Sequence, residues 1–275
     1  MAQAEKLINK IVDLYLKTAI EIPDDVFTAL KKARNIESNS IAKETLDTIL
    51  ANINLAKKES KPLCQDTGVS IFYIKRPISL KEEDLKEIIR KATEIATKNI
   101  PLRPNTVESL SGRSLDNKPV IHFEESDKLE IHLLLKGGGS ENISGIYSLP
   151  DQSLNADRDL AGVRKCILDA VFHAQGKGCP PCIIGVAVGG NLEDVASASK
   201  KQLFRKINDN NTNLELNNFE KTTLRMVNQL GIGAMGLGGK TTALGIKLVE
   251  IPRHPASFFV GISFSCWCLR RQSCD

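Results

Sequence analysis

The stretch Cys179-Pro180-Pro181-Cys182-Ile183-Ile184-Gly185-Val186-Ala187-Val188-Gly189-Gly190 decides the fold class. Ile183–Val188 is a short apolar run with prolines before it and glycines after it, which predicts a strand. The flanks change to helical spacing: Ala161–Ala174 before it, Leu192–Phe204 and Leu214–Leu230 after it. A glycine-rich loop, Gly231–Gly239, then leads into expected strands at Thr241–Ile251 and Phe258–Ser265. Toward the N-terminus, Pro119–Glu124 and Leu129–Lys136 suggest strands paired through a polar turn at Ser126-Asp127, and Val69–Lys75 suggests another. Ser79-Leu80-Lys81-Glu82 has capping-box spacing and should open a helix running to about Lys98. The first sixty residues are helical in pattern. Leu7, Ile8, Ile11, Val12, Leu14, Tyr15 and Leu16 line Ala4–Ile20, Pro23-Asp24-Asp25 suits the start of a second helix, and Ile41–Ala56 repeats the spacing. The expected fold is α/β (α+β), with N-terminal helices followed by a mixed sheet with flanking helices. The expected organisation is one catalytic domain over residues 1–275, with 1–60 a helical segment packed on it.

Composition narrows the function. The chain has 275 residues, 41% hydrophobic and 25% charged, enough for a substantial core. No apolar stretch reaches the ~18–20 residues of a membrane helix, and the N-terminus lacks a signal-peptide apolar core. A cytoplasmic enzyme is the expectation, with no membrane partner. The net charge of +4 is spread along the chain, and only 5% of residues are aromatic. No basic block interleaves with aromatics, so no nucleic-acid partner is expected.

Seven cysteines, at 64, 166, 179, 182, 266, 268 and 274, suit reduced thiols better than a disulfide framework in a chain of this length. Cys64, Cys179 and Cys266 each sit at the end or start of a strand-like segment beside turn-forming residues. That placement suits metal ligands drawn from distant loops, although any cysteine can instead be a small core hydrophobe. Three thiolates on an iron–sulfur cluster would leave one iron open as a Lewis acid. Cys182 runs into the strand and is read as a strand residue, Cys166 as helix core, and Cys274 as frayed. Asp66, two residues after Cys64, could move protons at a carbon centre or could simply form the Asp66-Thr67-Gly68 turn. Gly137-Gly138-Gly139 follows a strand and can present bare N–H groups to an anion, or be a flexible loop. Arg103, Arg253 and Arg270 lie in loop-like stretches, and guanidinium forks match carboxylates in two-point fashion. Any one arginine is usually a solvated surface residue; Arg103 and Arg270 are the two expected as substrate contacts. His254, between Arg253 and Pro255, could donate to a substrate carboxylate or be structural. His122, His132 and His173 are read as structural. Ala234–Thr241 mimics a phosphate loop, but a strand rather than a helix is expected after Lys240, so no nucleotide role is assigned.

Together PLCQDTG, PLRPN, KGGGSEN, GCPP with IIGVAVGG, GIGAMGLGGKTTALGI, PRH and the final SCW resemble the class I, iron–sulfur-dependent fumarate hydratases, specifically their N-terminal half or α subunit. The resemblance runs from the first helices to the last residues. It implies a 4Fe–4S cluster held by Cys64, Cys179 and Cys266, and reversible hydration of fumarate to (S)-malate, a tricarboxylic acid cycle reaction. It also implies a small dicarboxylate substrate lined by Gln65, Asp66, Arg103, Gly137, Gly138, Gly139 and His254, with Asp66 and His254 catalytic. The family's second half carries further catalytic groups, and this chain ends at Asp275 without such a segment. The expectation is an α subunit that works with a separate β subunit in a hetero-oligomer. After Cys266-Trp267 the sequence departs from the family with Cys268-Leu269-Arg270-Arg271. The rival expectations are the related L(+)-tartrate dehydratase α subunit, from which KGGGSEN differs, and a non-enzymatic iron–sulfur binding protein.

Overall fold

The computed structural model describes residues 2–275. Its first half contains α1 (Ala2–Ile20), α2 (Asp24–Ile36), α3 (Ser40–Glu59), β1 (Val69–Arg76), α4 (Glu82–Asn99), β2 (Thr106–Val107), β3 (Ser114–Leu115), β4 (Val120–Glu125) and β5 (Glu130–Lys136). The second half contains α5 (Gly138–Asn142), β6 (Gly145–Ser148), α6 (Leu160–Ala174), β7 (Cys182–Gly189), α7 (Leu192–Lys201), α8 (Leu214–Gln229), β8 (Ala243–Ile251), β9 (Phe259–Ser265) and β10 (Arg270–Cys274). The α/β class expected from sequence is the class observed. No described helix is long and apolar enough to cross a membrane. The chain forms two compact units. One gathers the residues up to Pro23, Ala51–Gly138 and Cys268–Asp275; the other gathers Asp24–Leu50 and Gly139–Trp267.

The first unit is built on a sheet of order β10-β5-β1-β4. Strand β1 runs parallel to β4 and antiparallel to β5, and β10 closes the other edge against β5. Helices α1 and α4 bury Ile11, Tyr15, Ile89 and Ala92 against Phe72, Ile131 and Leu133. The Tyr15 hydroxyl finds Thr93 Oγ1 at 2.8 Å, so its polar end is satisfied inside the core. Three sequence expectations change here. Strands β4 and β5 do not pair with each other, because β1 lies between them. Their linker, residues 126–129, can reach about 13 Å, which exceeds the ~9.6 Å of two strand spacings. Ser126 N–H ties that crossing to the Arg76 carbonyl at 2.9 Å. The capping box does not form either. Lys81 is the N-cap with no side-chain cap bond, and Glu82 instead takes Arg76 Nη2 at 2.8 Å. Finally, the C-terminal residues are not frayed: Cys274 pairs with Ile131 and packs on the core.

The second unit has a sheet of order β6-β9-β7-β8, with β7 parallel to β8 and antiparallel to β9. All eight residues of β7 are buried, as its unbroken apolar run requires. Alternation divides its two faces. Cys182, Ile184, Val186 and Val188 join the core with residues of α6 and α8, including Ile167, Phe219 and Val227. Gly185 faces α7, where a Cβ would stand 2.1 Å from the Ser199 carbonyl oxygen. Glycine there lets helix backbone pack on strand backbone.

Glu37, 6% exposed, anchors the glycine-rich loop to the end of α2. Its carboxylate accepts the main-chain N–H of Ser38 (2.9 Å), Asn39 (3.0 Å) and Lys240 (2.7 Å). Burial pushes this carboxyl up, but the three N–H donors together with the Lys240 charge outweigh it and hold it below the ordinary value of 4.5. A depressed folded-state value gives stability that is present above 4.5 and is lost as the pH falls through the folded value. Glu37→Gln should therefore cost about 1–3 kcal/mol at neutral pH. In urea titrations the gap from wild type should narrow below pH 4.5; a gap independent of pH contradicts this account.

Candidate functional site

The Cys64–Gly68 turn immediately precedes β1, so the sheet fixes its exit. Gly68 has φ +84°, and a Cβ there would lie 2.8 Å from the Leu135 carbonyl carbon, so only glycine fits. Asp66 is half-buried. Its Oδ1 accepts Gly68 N–H at 3.0 Å and its Oδ2 accepts Gly138 N–H at 2.7 Å. Asp66 thus makes the local turn and also occupies the first amide of α5, within the glycine run expected to bind an anion. Gly137 closes over the same carboxylate: a Cβ there would be 3.1 Å from Asp66 Oδ2.

The Pro101–Asn105 loop is fastened to this turn. Thr67, 3% exposed, accepts Arg103 N–H at 3.0 Å and Asn105 Nδ2 at 2.8 Å. Asn105 Nδ2 also donates to the Gly68 carbonyl at 3.1 Å. Asn117 braces the loop from behind, accepting Asn105 N–H at 2.7 Å and donating to the Arg103 carbonyl at 3.0 Å. The first unit therefore brings together Cys64, Gln65, Asp66, Arg103, Gly137, Gly138 and Arg270. Gln65 is exposed, whereas Arg270 is 1% exposed. Arg270 is not in a loop; it opens β10 and sends Nη1 to the Asp66 carbonyl at 2.7 Å. Sequence reading did not single out Thr67, Asn105 or Asn117. The prolines around Arg103 signalled a shaped loop, but nothing local to Asn117 pointed back to it.

The second unit holds the other candidates. Cys179 ends a 3-10 turn, Gln175–Gly178, in the left-handed conformation (φ 50°, ψ 61°). Its carbonyl accepts Trp267 N–H at 3.1 Å, which sets the Cys179 and Cys266 segments side by side. Gly139 lies near the same turn, its Cβ position 3.7 Å from the Lys177 carbonyl. Cys64, Cys179 and Cys266 are partly exposed, while Cys166, Cys182 and Cys268 are buried. Burial first, then the neighbouring Cys266 and Cys179, push the Cys182 thiol well above the ordinary range. Its side chain is that of the first residue of β7 and lies in the core. Among the described residues, no three His, Cys, Asp or Glu side chains form a group that could hold a metal ion.

His254 is exposed, and its Nδ1 accepts Ala256 N–H at 3.1 Å. This assigns the proton of the neutral ring to Nε2, leaving that edge as a donor. Arg253 shapes the loop around it, donating through Nη1 to the carbonyls of His254, Pro255 and Ser257 at 2.9–3.1 Å. Lys240 donates Nζ to the Ile36 carbonyl at 3.0 Å, and β8 follows it. No helix N-terminus stands there to cradle a phosphate.

These elements run in the order of a known family. Residues 8–275 match the family model described as Fumarate hydratase (Fumerase), and the chain belongs to that family. It is 45% identical over 278 residues to a putative fumarate hydratase class I of Geobacillus stearothermophilus, covering 97% of this chain and 54% of that protein. It is 38% identical over 282 residues to a putative L(+)-tartrate dehydratase subunit alpha of Methanocaldococcus jannaschii, covering 97% and 96%. It is 30% identical over 283 residues to the L(+)-tartrate dehydratase subunit alpha of Escherichia coli K12, covering 97% and 91%. The chain thus spans about half the length of the first relative and nearly all of the other two.

Proposed function

We propose that this chain is the α-type half of a hydro-lyase that reversibly hydrates fumarate to (S)-malate with a 4Fe–4S cluster, completed by a β subunit in a hetero-oligomer. The observation that carries the reading is Asp66, a carboxylate held by two main-chain amides two residues from a partly exposed thiol. Cys64, Cys179 and Cys266 would hold the cluster. The donor chemistry fits, since these are partly exposed cysteines and soft thiolates suit iron–sulfur clusters. When bound, such a cluster supplies an open iron as Lewis acid for the substrate oxygen.

The chain's own residues would then divide the remaining work. Hydration adds hydroxyl to one carbon of the double bond and a proton to its neighbour. Asp66 would give or take that carbon-bound proton, which requires a carboxylate in a fixed place. Arg103, Gln65 and the N–H groups of Gly137, Gly138 and Gly139 would orient the dicarboxylate, and His254 would donate from Nε2 to a carboxylate oxygen. The name "subunit alpha" of two relatives supports a β partner. The same two relatives support a second reading, dehydration of L(+)-tartrate by the same residues.

Anaerobic reconstitution with iron and sulfide, with and without a protein carrying the family's other half, tests both. Loss of fumarate only in the complex is expected. Loss of tartrate alone would shift the substrate, and a stable cluster without turnover of either acid would leave a non-enzymatic iron–sulfur protein. In the same preparation Cys179→Ser should lower bound iron and Cys182→Ser should leave it intact. The reverse pattern would assign the ligand to the strand cysteine.

A further inference from the structure

We propose that Arg270 is a positioning residue for Asp66, acting through the main chain and not by touching substrate. This rests on the proposed role of Asp66 and assigns Arg270 a different task from the substrate contact expected from sequence. Arg270 is 1% exposed and heads the largest fully buried side chains among the described residues. Its Nη1 donates to the Asp66 carbonyl at 2.7 Å, while its Nε has no hydrogen-bond partner. A buried cation aimed at a neutral carbonyl is costly, and at this burial its guanidinium has no free face to offer a dicarboxylate.

The geometry explains what the bond does. Holding the Asp66 carbonyl fixes the peptide plane between Asp66 and Thr67, which ends on one side at the Asp66 Cα that carries the carboxylate and on the other at the Thr67 Cα, one peptide before the Gly68 amide. The carboxylate is then held at its two oxygens by Gly68 and Gly138 N–H. Gly137 fills the remaining side: a Cβ there would stand 3.1 Å from Asp66 Oδ2 and 3.7 Å from Arg270 Nη2. Carbonyl, carboxylate and glycine leave the turn little freedom. The guanidinium reaches this point because β10 pairs with β5, placing Arg270 opposite Leu135, two residues before Gly137. The link therefore joins the edge strand to the proton-transfer group.

The test compares wild type, Arg270→Gln and Arg270→Lys in the complete reconstituted complex, with Ser273→Ala as an exposed control on the same strand. Hydrogen exchange is followed without substrate over residues 64–68 and 137–142. Expected are faster exchange of the Gly68 and Gly138 amides and a fall in kcat on the order of 10- to 100-fold, with KM little changed. Arg270→Lys keeps charge and stem and should fall between wild type and Arg270→Gln, which keeps the test open if the Gln variant does not fold. A large rise in KM with unchanged exchange would overturn the proposal in favour of direct carboxylate contact. Unchanged kcat and exchange would make Arg270 a structural filler. The exchange arm needs no substrate, so a wild-type complex inactive on both acids would refute the hydro-lyase reading without deciding the Arg270 result.

Discussion

Asp66→Asn should lower the proposed fumarate hydration by roughly 10²- to 10⁴-fold, the range general acid–base groups contribute. The substitution has two separable effects. An amide cannot exchange a proton with carbon near neutral pH, so the chemical step loses its acid and base. The amide also carries an NH2 where Asp66 Oδ2 now accepts Gly138 N–H at 2.7 Å, which turns one donor–acceptor contact into donor against donor. The other oxygen can still accept Gly68 N–H, so the turn survives in part. The second effect should cost about 0.5–1.5 kcal/mol of stability, the ordinary net worth of one hydrogen bond, because Gly138 is exposed and water can take its N–H. Thermal unfolding measures that cost and kcat measures the first effect. Asp66→Glu completes the comparison: it restores the charge but adds a methylene in a space where even a Cβ on Gly137 would crowd the carboxylate. Asp66→Glu should therefore remain impaired despite its competent acid. Activity of Asp66→Asn within a few-fold of wild type would remove Asp66 from the chemistry and leave it as a turn former.

How far the sequence showed this site depended on whether the relevant interaction was local. The apolar run Ile183–Val188 identified a buried strand, and Cys182 proved to be its first residue. The Asp66-Thr67-Gly68 turn was also legible, because its bond to the Gly68 amide spans two residues. What escaped were contacts set by the sheet. Arg270-Arg271-Gln272-Ser273 has no apolar alternation and Arg270 reads as loop-like, yet pairing with β5 makes the segment a strand. The expected β4–β5 hairpin failed because β1 offered both strands a partner, one parallel and one antiparallel, and a short polar turn does not encode that choice. Likewise the Ser79–Glu82 spacing matches a capping box, but Arg76 captures Glu82. The glycine run reads as an anion nest or a flexible loop, and nothing local shows that Asp66 Oδ2 accepts the Gly138 N–H.

Outside the candidate site, Glu220→Ala should destabilise the second unit by about 1–3 kcal/mol, as expected when a buried strand amide loses its acceptor. Glu220 on α8 is 4% exposed. Its Oε1 accepts Arg205 Nη1 at 2.7 Å, Asn211 Nδ2 at 3.0 Å and Leu248 N–H at 2.7 Å. Arg205 and Asn211 both donate in turn to the Leu248 carbonyl, at 3.3 and 2.9 Å. Strand β8 lies at the edge of its sheet, so Leu248 would otherwise present unpaired main-chain groups there. The carboxylate and its two donors satisfy both. Truncation to alanine leaves the buried Leu248 amide without its acceptor, while Arg205 keeps Asp209, its Nε and Nη2 donating to Oδ2 and Oδ1 at 3.0 and 2.9 Å. Glu220→Gln keeps one acceptor oxygen for the Leu248 amide but turns an NH2 toward the donors, so its cost should be smaller. A double-mutant cycle with Arg205→Ala isolates the pair, and a coupling of roughly 1–3 kcal/mol is expected for contacting, networked residues. Because the acceptor is buried, raising the salt concentration should reduce that coupling little. Strong salt sensitivity, or a cost under about 1 kcal/mol for Glu220→Ala, would mean the network behaves as a surface ion pair and that β8 holds its edge by pairing with β7 alone.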